Sequence, residues 1–258
     1  MLDKILKAKE EEIKILKNSL VKPNLVNRNK DKIDYFLTKE KQIKVIAEIK
    51  KASHIKGNLN LNLDPITTAK IYEENGAAAI SVITDQAYFK GAPNFLTTVK
   101  NEVKLPVLRK DFIIDEIQLY ETLTMGADMV LLIASILSYS QLLMLVEKCH
   151  SLSLEPLVEV HSDSEAKMLA DLPIRIAGIN NRNLKDFTVD INHSLRLVNY
   201  IPDNIFKVSE SGISKHSDLL SLKKHGFNAA LIGESLVTSP SPGQKLRELL
   251  DYQEDTYD

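Results

Sequence analysis

P-V-L-R-K-D-F-I-I-D-E-I-Q-L-Y-E-T-L-T-M-G-A-D-M-V-L-L-I-A, residues 106–134, holds one complete unit of the fold. An apolar run at 106–112 ends in charge, a helical pattern follows and stops at Gly126, and a second apolar run begins at 128. Strand, helix and strand in immediate succession imply parallel strands joined by a crossover helix. A glycine after a helical pattern is the usual left-handed stop, and it recurs in E-E-N-G-A-A and K-H-G-F-N.

The same unit extends in both directions. Period and composition predict strands near 45–50, 77–84, 106–112, 128–134, 155–160, 175–181, 206–211 and 229–233. Helix starts are predicted at Asp64-Pro65, Ser138, Ser162, Ser214 and Ser241-Pro242. Eight βα units in unbroken alternation predict an α/β fold, a (β/α)8 TIM barrel with an N-terminal helical extension. The expected division is 1–42 as a helical extension packed on the barrel and 43–258 as the barrel catalytic domain. An open doubly wound sheet typically has fewer strands, and no G-x-G-x-x-G follows the first strand.

Composition narrows the function. The 258 residues carry 33 basic and 35 acidic side chains, with no Lys/Arg block to track a phosphate backbone, so nucleic acid is not an expected partner. No run approaches the ~18 apolar residues that span a membrane, and the N-terminus lacks the uninterrupted apolar core of a signal peptide. Leu2, Ile5, Leu6, Ile13 and Leu16 read instead as a helix docked on its own domain. The single cysteine, Cys149, falls in a helical pattern, which fits a reducing compartment and a cytoplasmic location. The expected oligomeric state is a monomer or a weak homo-oligomer.

V-I-A-E-I-K-K-A-S, 45–53, begins as a buried strand yet sends Glu48 and Lys50 to the same side as Ile46. Unpaired buried charge is costly, so this face needs a partner, water or a ligand. The other strand ends repeat the feature: Lys110 in L-R-K-D-F, Glu159 in P-L-V-E-V-H, Asn180 and Arg182 in G-I-N-N-R-N, and Glu210 in K-V-S-E-S-G. Barrel active sites form at the C-terminal strand ends, so these residues converge on one mouth. Parity turns Lys110 and Glu210 inward and their neighbours Arg109 and Ser209 outward. Lysines and carboxylates crowded in a water-poor cavity shift one another's pKa values and become available for acid and base work. His161 lies two residues beyond Glu159 and could share its face, but a lone histidine in a loop reads rather as a cap or surface residue, and no H-x-H or H-E-x-x-H spacing supplies a metal site. Ser211-Gly212 after strand seven and Gly233-Glu234-Ser235 after strand eight occupy the two loops that commonly hold a phosphate, so a small phosphorylated ligand is expected.

Taken together, A-E-I-K-K-A-S (47–53), S-V-I-T-D-Q-A-Y-F-K-G (81–91), L-R-K-D-F-I-I-D (108–115), P-L-V-E-V-H (156–161), G-I-N-N-R-N-L (178–184), S-E-S-G-I (209–213) and L-I-G-E-S-L (231–236) resemble the indole-3-glycerol-phosphate synthases. The resemblance implies ring closure, decarboxylation and dehydration of 1-(2-carboxyphenylamino)-1-deoxyribulose 5-phosphate, without metal or organic cofactor. It implies Lys110 as an acid toward the ketone oxygen, Lys50 on anionic groups, Glu159 in proton transfer during dehydration and Glu48 tuning the lysines. Asn180 would fix a hydroxyl, Glu210 would face the anilino side, and Arg182 would balance anionic charge, with Ser53, Phe89 and Phe112 also touching the ligand. Which lysine acts in which step stays open. The family pattern S-P-S-K-G is replaced by Ser53-His54-Ile55-Lys56-Gly57, and loss of the proline frees φ and restores an N–H, so a looser first loop is expected. Two alternatives remain at this point: another phosphate-binding barrel enzyme such as phosphoribosylanthranilate isomerase, expected to carry a Cys on strand one, and a non-catalytic phospholigand-binding barrel.

Overall fold

The computed structural model of the protein describes residues 2–23, 30–53, 57–183 and 187–251. Eight parallel strands, β1 (Lys44–Ile49), β2 (Ala79–Ile83), β3 (Val107–Lys110), β4 (Met129–Ile133), β5 (Glu155–Val160), β6 (Ile176–Asn180), β7 (Phe206–Glu210) and β8 (Ala229–Ile232), form a closed barrel. Closure comes from β1, which pairs Ile46 with Ala79 of β2 on one side and with Leu231 of β8 on the other. The ladder of β3 ends at Lys110, short of the predicted 112, because Asp111 and Phe112 already turn into the loop above.

Both strand faces are buried, and alternation sorts them. Ile46, Leu108, Met129, Leu131, Leu157, Ile176, Val208 and Leu231 fill the interior, whereas Val45, Val82, Val130, Val158 and Ala230 pack outward against the helices. A short helix, α2 (Asp31–Phe36), plugs the lower end: Ile33 and Phe36 join the interior cluster, and the Phe36 and Phe206 rings lie 5.2 Å apart. The barrel core is therefore closed below and open only where the strands end in charge.

Helix starts follow local chemistry. Asp64 accepts from the Thr67 N–H at 2.8 Å, and Ser138 and Gln141 form a capping box. Ser162 caps Asp163–Met168 in the same way. Ser214 is a correction: the helix is His216–Lys224, because the Asp218 carboxylate accepts the N–H groups of both Ser214 and Lys215 and moves the cap to Lys215. Gly76, Gly126 and Gly226 end their helices with φ of 94°, 84° and 86°. The first βα loop contains an antiparallel pair, Ala52–Ser53 with Gly57–Asn58, which the sequence did not announce. His54, Ile55 and Lys56, where the family pattern changes, lie outside the described residues.

The N-terminal helix, α1 (Leu2–Ser19), buries Ile5, Lys9 and Ile13, a stripe at helical spacing with a charge in its middle. The Lys9 ammonium lies 3.0 Å from Asp85 and 2.9 Å from Asp111, all three side chains no more than 2% exposed. Burial opposes the Lys9 charge, but Asp111 and Asp85 outweigh it and raise its pKa. At Asp111 burial is overcome by Arg109 and Lys9, which hold the carboxyl down at about 2. Removing one partner of such a cluster strands the others, so Lys9→Met is expected to cost about 3 kcal/mol in urea unfolding. An unchanged midpoint would mean that the two aspartates are already hydrated or neutral.

Candidate active site

The inward strand ends meet at the C-terminal mouth in one cavity of about 550 Å3, lined by every side chain singled out from the sequence. Glu48, Lys50, Lys110, Glu159, Asn180 and Glu210 form its floor and lower wall. Phe89 and Phe112 form an aromatic wall, with ring centroids 6.2 Å apart. Ser53 of the loop hairpin, Arg182 after β6, Ser211-Gly212 after β7 and Gly233-Glu234-Ser235 after β8 complete the rim.

The charges are arranged in two linked sets. Lys50 and Glu48 pair at 2.7 Å. Lys110 lies 3.4 Å from both Glu159 and Glu210, two carboxylates that are almost wholly buried. Burial works against the Lys110 charge, but Glu159, Glu210 and Glu48 outweigh it and raise the pKa, so an ammonium persists in the cavity. At Glu159 burial is overcome by Lys110 and by His161, and the carboxyl is held well below its usual range. Glu210 goes the other way: burial raises it, Lys110 only partly opposes, Glu159 and Glu48 repel a further negative charge, and the carboxyl is pushed up to about 8. Two acids equally far from one ammonium are thus pushed in opposite directions by their other neighbours, His161 at Glu159 and the facing carboxylates at Glu210.

Two glycines make room for these acids. A Cβ at Gly178 would sit 2.3 Å from Glu210 Oε1, and one at Gly233 would sit 2.3 Å from Glu48 Oε1. Both carboxylates therefore rest against bare backbone, a close approach that only glycine permits. On the rim, Ser211 takes a φ of 68° and Gly212 one of 81°. A non-glycine residue in that region is strained unless its surroundings fix it. Here Asn181 does so, donating to Ser211 O at 2.9 Å and to Ser209 Oγ at 3.0 Å while its own carbonyl accepts the Ser194 N–H. The helix after Gly233, Glu234–Val237, is a single turn, so any anion held there meets local N–H groups rather than a long helix dipole.

Several contributors were missed in the sequence. Leu2 and Ile5 of α1 line the cavity beside Ile83, Ile133 and Leu231. The last three follow from strand parity, but α1 carried no signal for this placement beyond Lys9 in the middle of its apolar stripe. Asp85 accepts the Tyr88 and Phe89 N–H groups and Asp111 the Phe112 N–H, so the Lys9 cluster also holds both cavity phenylalanines. Asn181 points outward by parity, and nothing in the sequence marks its grip on the Ser211 loop. His161 needs correction too. Its side chain is only 10% exposed, and Nε2 lies 3.1 Å from Glu159 Oε1, because His161 directly follows β5 and keeps the inward parity of Glu159 two residues before. Arg109 faces outward as parity requires, donating to Gln118 O and Thr122 Oγ1 on the neighbouring helix. Among the described residues no cluster of three or more His, Cys, Asp or Glu side chains is arranged to hold a metal ion.

Comparison with known proteins gives a consistent result. A sequence profile of the indole-3-glycerol phosphate synthase family matches residues 2–249. An indole-3-glycerol phosphate synthase of Legionella pneumophila (strain Paris) is 40% identical over 253 residues, covering 97% of this chain and 98% of that protein. One of Aquifex aeolicus is 47% identical over 211 residues, covering 81% of this chain and 82% of the relative. Among solved structures, a 3-hexulose-6-phosphate synthase superposes with a TM-score of 0.66 at 17% identity over 81% of this chain and 99% of its own, a likeness of fold.

Proposed function

The chain belongs to the indole-3-glycerol phosphate synthase family, and from that premise we propose how its own residues carry the reaction. It is a decarboxylating lyase of tryptophan biosynthesis that acts on a phosphorylated small molecule. The substrate, 1-(2-carboxyphenylamino)-1-deoxyribulose 5-phosphate, lies with its aryl ring against Phe89 and Phe112 and its phosphate at the rim. Backbone N–H groups of Gly212, Gly233, Glu234 and Ser235 hold that phosphate, with Ser211 beside them. Arg182 balances its charge, and Ser53 closes the opposite side.

Lys110 donates a proton to the ketone oxygen as the aryl carbon attacks. Electrons from the departing carboxylate then restore the aromatic ring. Lys50, tuned by Glu48, holds the carboxylate until CO2 leaves. Lys110, reprotonated, gives a second proton to the hydroxyl as it departs as water, and Asn180 orients that hydroxyl. Glu159 takes the carbon-bound proton and returns it to Lys110, and protonated Glu210 faces the anilino nitrogen. What supports this reading is a single arrangement: Lys110 stands 3.4 Å from an ionised carboxylate and from a raised one, in the same cavity as the two glycine rims. The chain works as a monomer or weak homo-oligomer in the cytoplasm, where a lone buried thiol such as Cys149 stays reduced.

Gly212→Asp tests the phosphate assignment in an assay that follows indole fluorescence. The new side chain would meet a left-handed φ, Val189 Cγ1 2.5 Å from its Cβ, and a like charge on the ligand. KM is expected to rise at least ~10-fold, a change of about 1.4 kcal/mol, with kcat less affected and the circular dichroism kept. An unchanged KM would count against phosphate at this rim.

A further inference from the structure

The reaction consumes a proton in every turnover. The substrate enters with an ionised carboxylate and a phosphate, and CO2, water and a product bearing only the phosphate leave. One proton goes to the ketone oxygen on ring closure and a second to the departing hydroxyl, while only one comes back, from the carbon beside the nitrogen. The balance is one proton drawn from solvent, and while the ligand fills the mouth, through which the Lys110 side chain is otherwise 18% exposed, a side route must deliver it.

A line of titratable side chains runs from the cavity to the surface behind Glu159. Lys110 Nζ lies 3.4 Å from Glu159 Oε2, and the other oxygen, Oε1, lies 3.1 Å from His161 Nε2. His161 Nδ1 in turn lies 3.9 Å from Glu165 Oε2, beyond hydrogen-bond reach, a gap that a turn of the ring closes for transfer. Glu165 is held in place by the His161 N–H at 2.7 Å and by Ser162 Oγ at 2.9 Å. Side-chain exposure climbs along the line, from 2% at Glu159 to 10% at His161 and 20% at Glu165. Neither ring nitrogen of His161 is engaged in an aligned hydrogen bond, so the imidazole is committed to neither neighbour. Imidazole is also the side chain that gives and takes protons on two separate nitrogens near neutral pH.

We propose that His161 is a proton-relay residue, which passes a solvent proton from Glu165 to Glu159 and so resupplies Lys110 within each turnover, while the ligand fills the mouth. Between ring closure and dehydration a proton reaches Nδ1, the Nε2 proton leaves for Glu159 Oε1, and Glu159 Oε2 passes a proton to the Lys110 amine, which gives it to the departing hydroxyl. The carbon-bound proton taken by Glu159 then restores Lys110. No group ends with a changed charge, and a turn of the ring that exchanges its two nitrogens restores the Nε2–H form for the next cycle. The charged or titratable side chains around the ring are Glu159 on β5, Lys110 beyond it on β3, Glu165 on Asp163–Met168, and His193 on Asn192–Leu197, whose Nε2 lies 3.1 Å from the His161 carbonyl oxygen. The relay acts through Glu159 and rests on the role given to that residue above.

The test uses His161→Ala and His161→Asn in weakly buffered solution. The asparagine keeps an N–H but cannot pass a proton through. For both, kcat is expected to fall at least ~10-fold, the lower part of the range for positioned proton transfer, with KM and melting temperature close to wild type. Activity of the alanine variant should return with added imidazole, and across substituted imidazoles the restored rate should follow their pKa values, which a purely structural defect would not produce. A wild-type kcat in both variants, or a loss that no imidazole restores, would overturn the relay. Glu159→Gln separates the two layers. If it stays fast, the role of Glu159 itself fails. If it is slow while His161→Ala is fast, only the relay fails.

Discussion

Replacing Lys110 with methionine is expected to lower kcat at least ~100-fold, within the range for loss of a positioned acid. Methionine keeps the length of the side chain and removes only the ammonium. That ammonium is the cation shared by Glu159 and Glu210, and its charge persists in a buried site because Glu159, Glu210 and Glu48 outweigh the cost of burial. Without it Glu159 loses the largest of the influences that hold its carboxyl down against burial, beside a Glu210 that already carries a proton. The variant therefore loses its acid and the ionised state of its base together, whereas the phosphate rim is untouched. The expected signature is a collapsed kcat with KM within a few-fold of wild type, read from steady-state indole fluorescence. Activity within ~3-fold of wild type, under 1 kcal/mol in barrier, would remove Lys110 from the chemistry.

The second large effect separates two acids that look alike in the sequence. Glu159→Gln is expected to lower kcat ~100-fold or more, because the amide cannot take the carbon-bound proton. Glu210→Gln is expected to be far milder at pH 6–7, because the Glu210 carboxyl, raised to about 8, is already protonated there and the amide resembles it. The same raised value sets a stability signature. The folded state holds a proton that the unfolded chain gives up near pH 4.5, so the group's penalty on folding is absent below that pH and grows as pH rises to about 8. Glu210→Gln should therefore stabilise the fold more at pH 9 than at pH 5, read as the shift in urea midpoint. Equal losses of kcat in the two glutamine variants, or a pH-independent midpoint shift, would mean that the site does not sort its acids in this way.

The barrel was legible because its evidence is periodic. Alternation along 45–50 or 128–134 needs no tertiary knowledge, and it also turned Lys110 inward and Arg109 toward the helices. Eight such runs at βα spacing leave closure as the natural outcome. What stayed hidden depends on contacts between distant segments. Lys9 belongs to the site only because Asp85 and Asp111 meet it across the mouth, and no local pattern in residues 2–19 says so. The helix start misplaced at Ser214 turned on one carboxylate four residues downstream. His161 shares the parity of Glu159, but parity no longer fixes direction once a strand ends, so only the folded chain shows its ring against that carboxylate. The opposite shifts of Glu159 and Glu210 are likewise invisible in P-L-V-E-V-H and K-V-S-E-S-G, since both lie 3.4 Å from Lys110 and differ in their other neighbours, His161 beside Glu159 and the carboxylates of Glu159 and Glu48 facing Glu210.

A crystal structure of the protein with indole-3-glycerol phosphate bound would test most directly whether one mouth serves both the phosphate and the reacting ring. The phosphate should lie about 3 Å from backbone N–H groups among Gly212, Gly233 and Ser235, with the indole against Phe112 and within reach of Lys110 and Glu159. A phosphate seated at any other strand ends, or an indole out of reach of both Lys110 and Glu159, would contradict it.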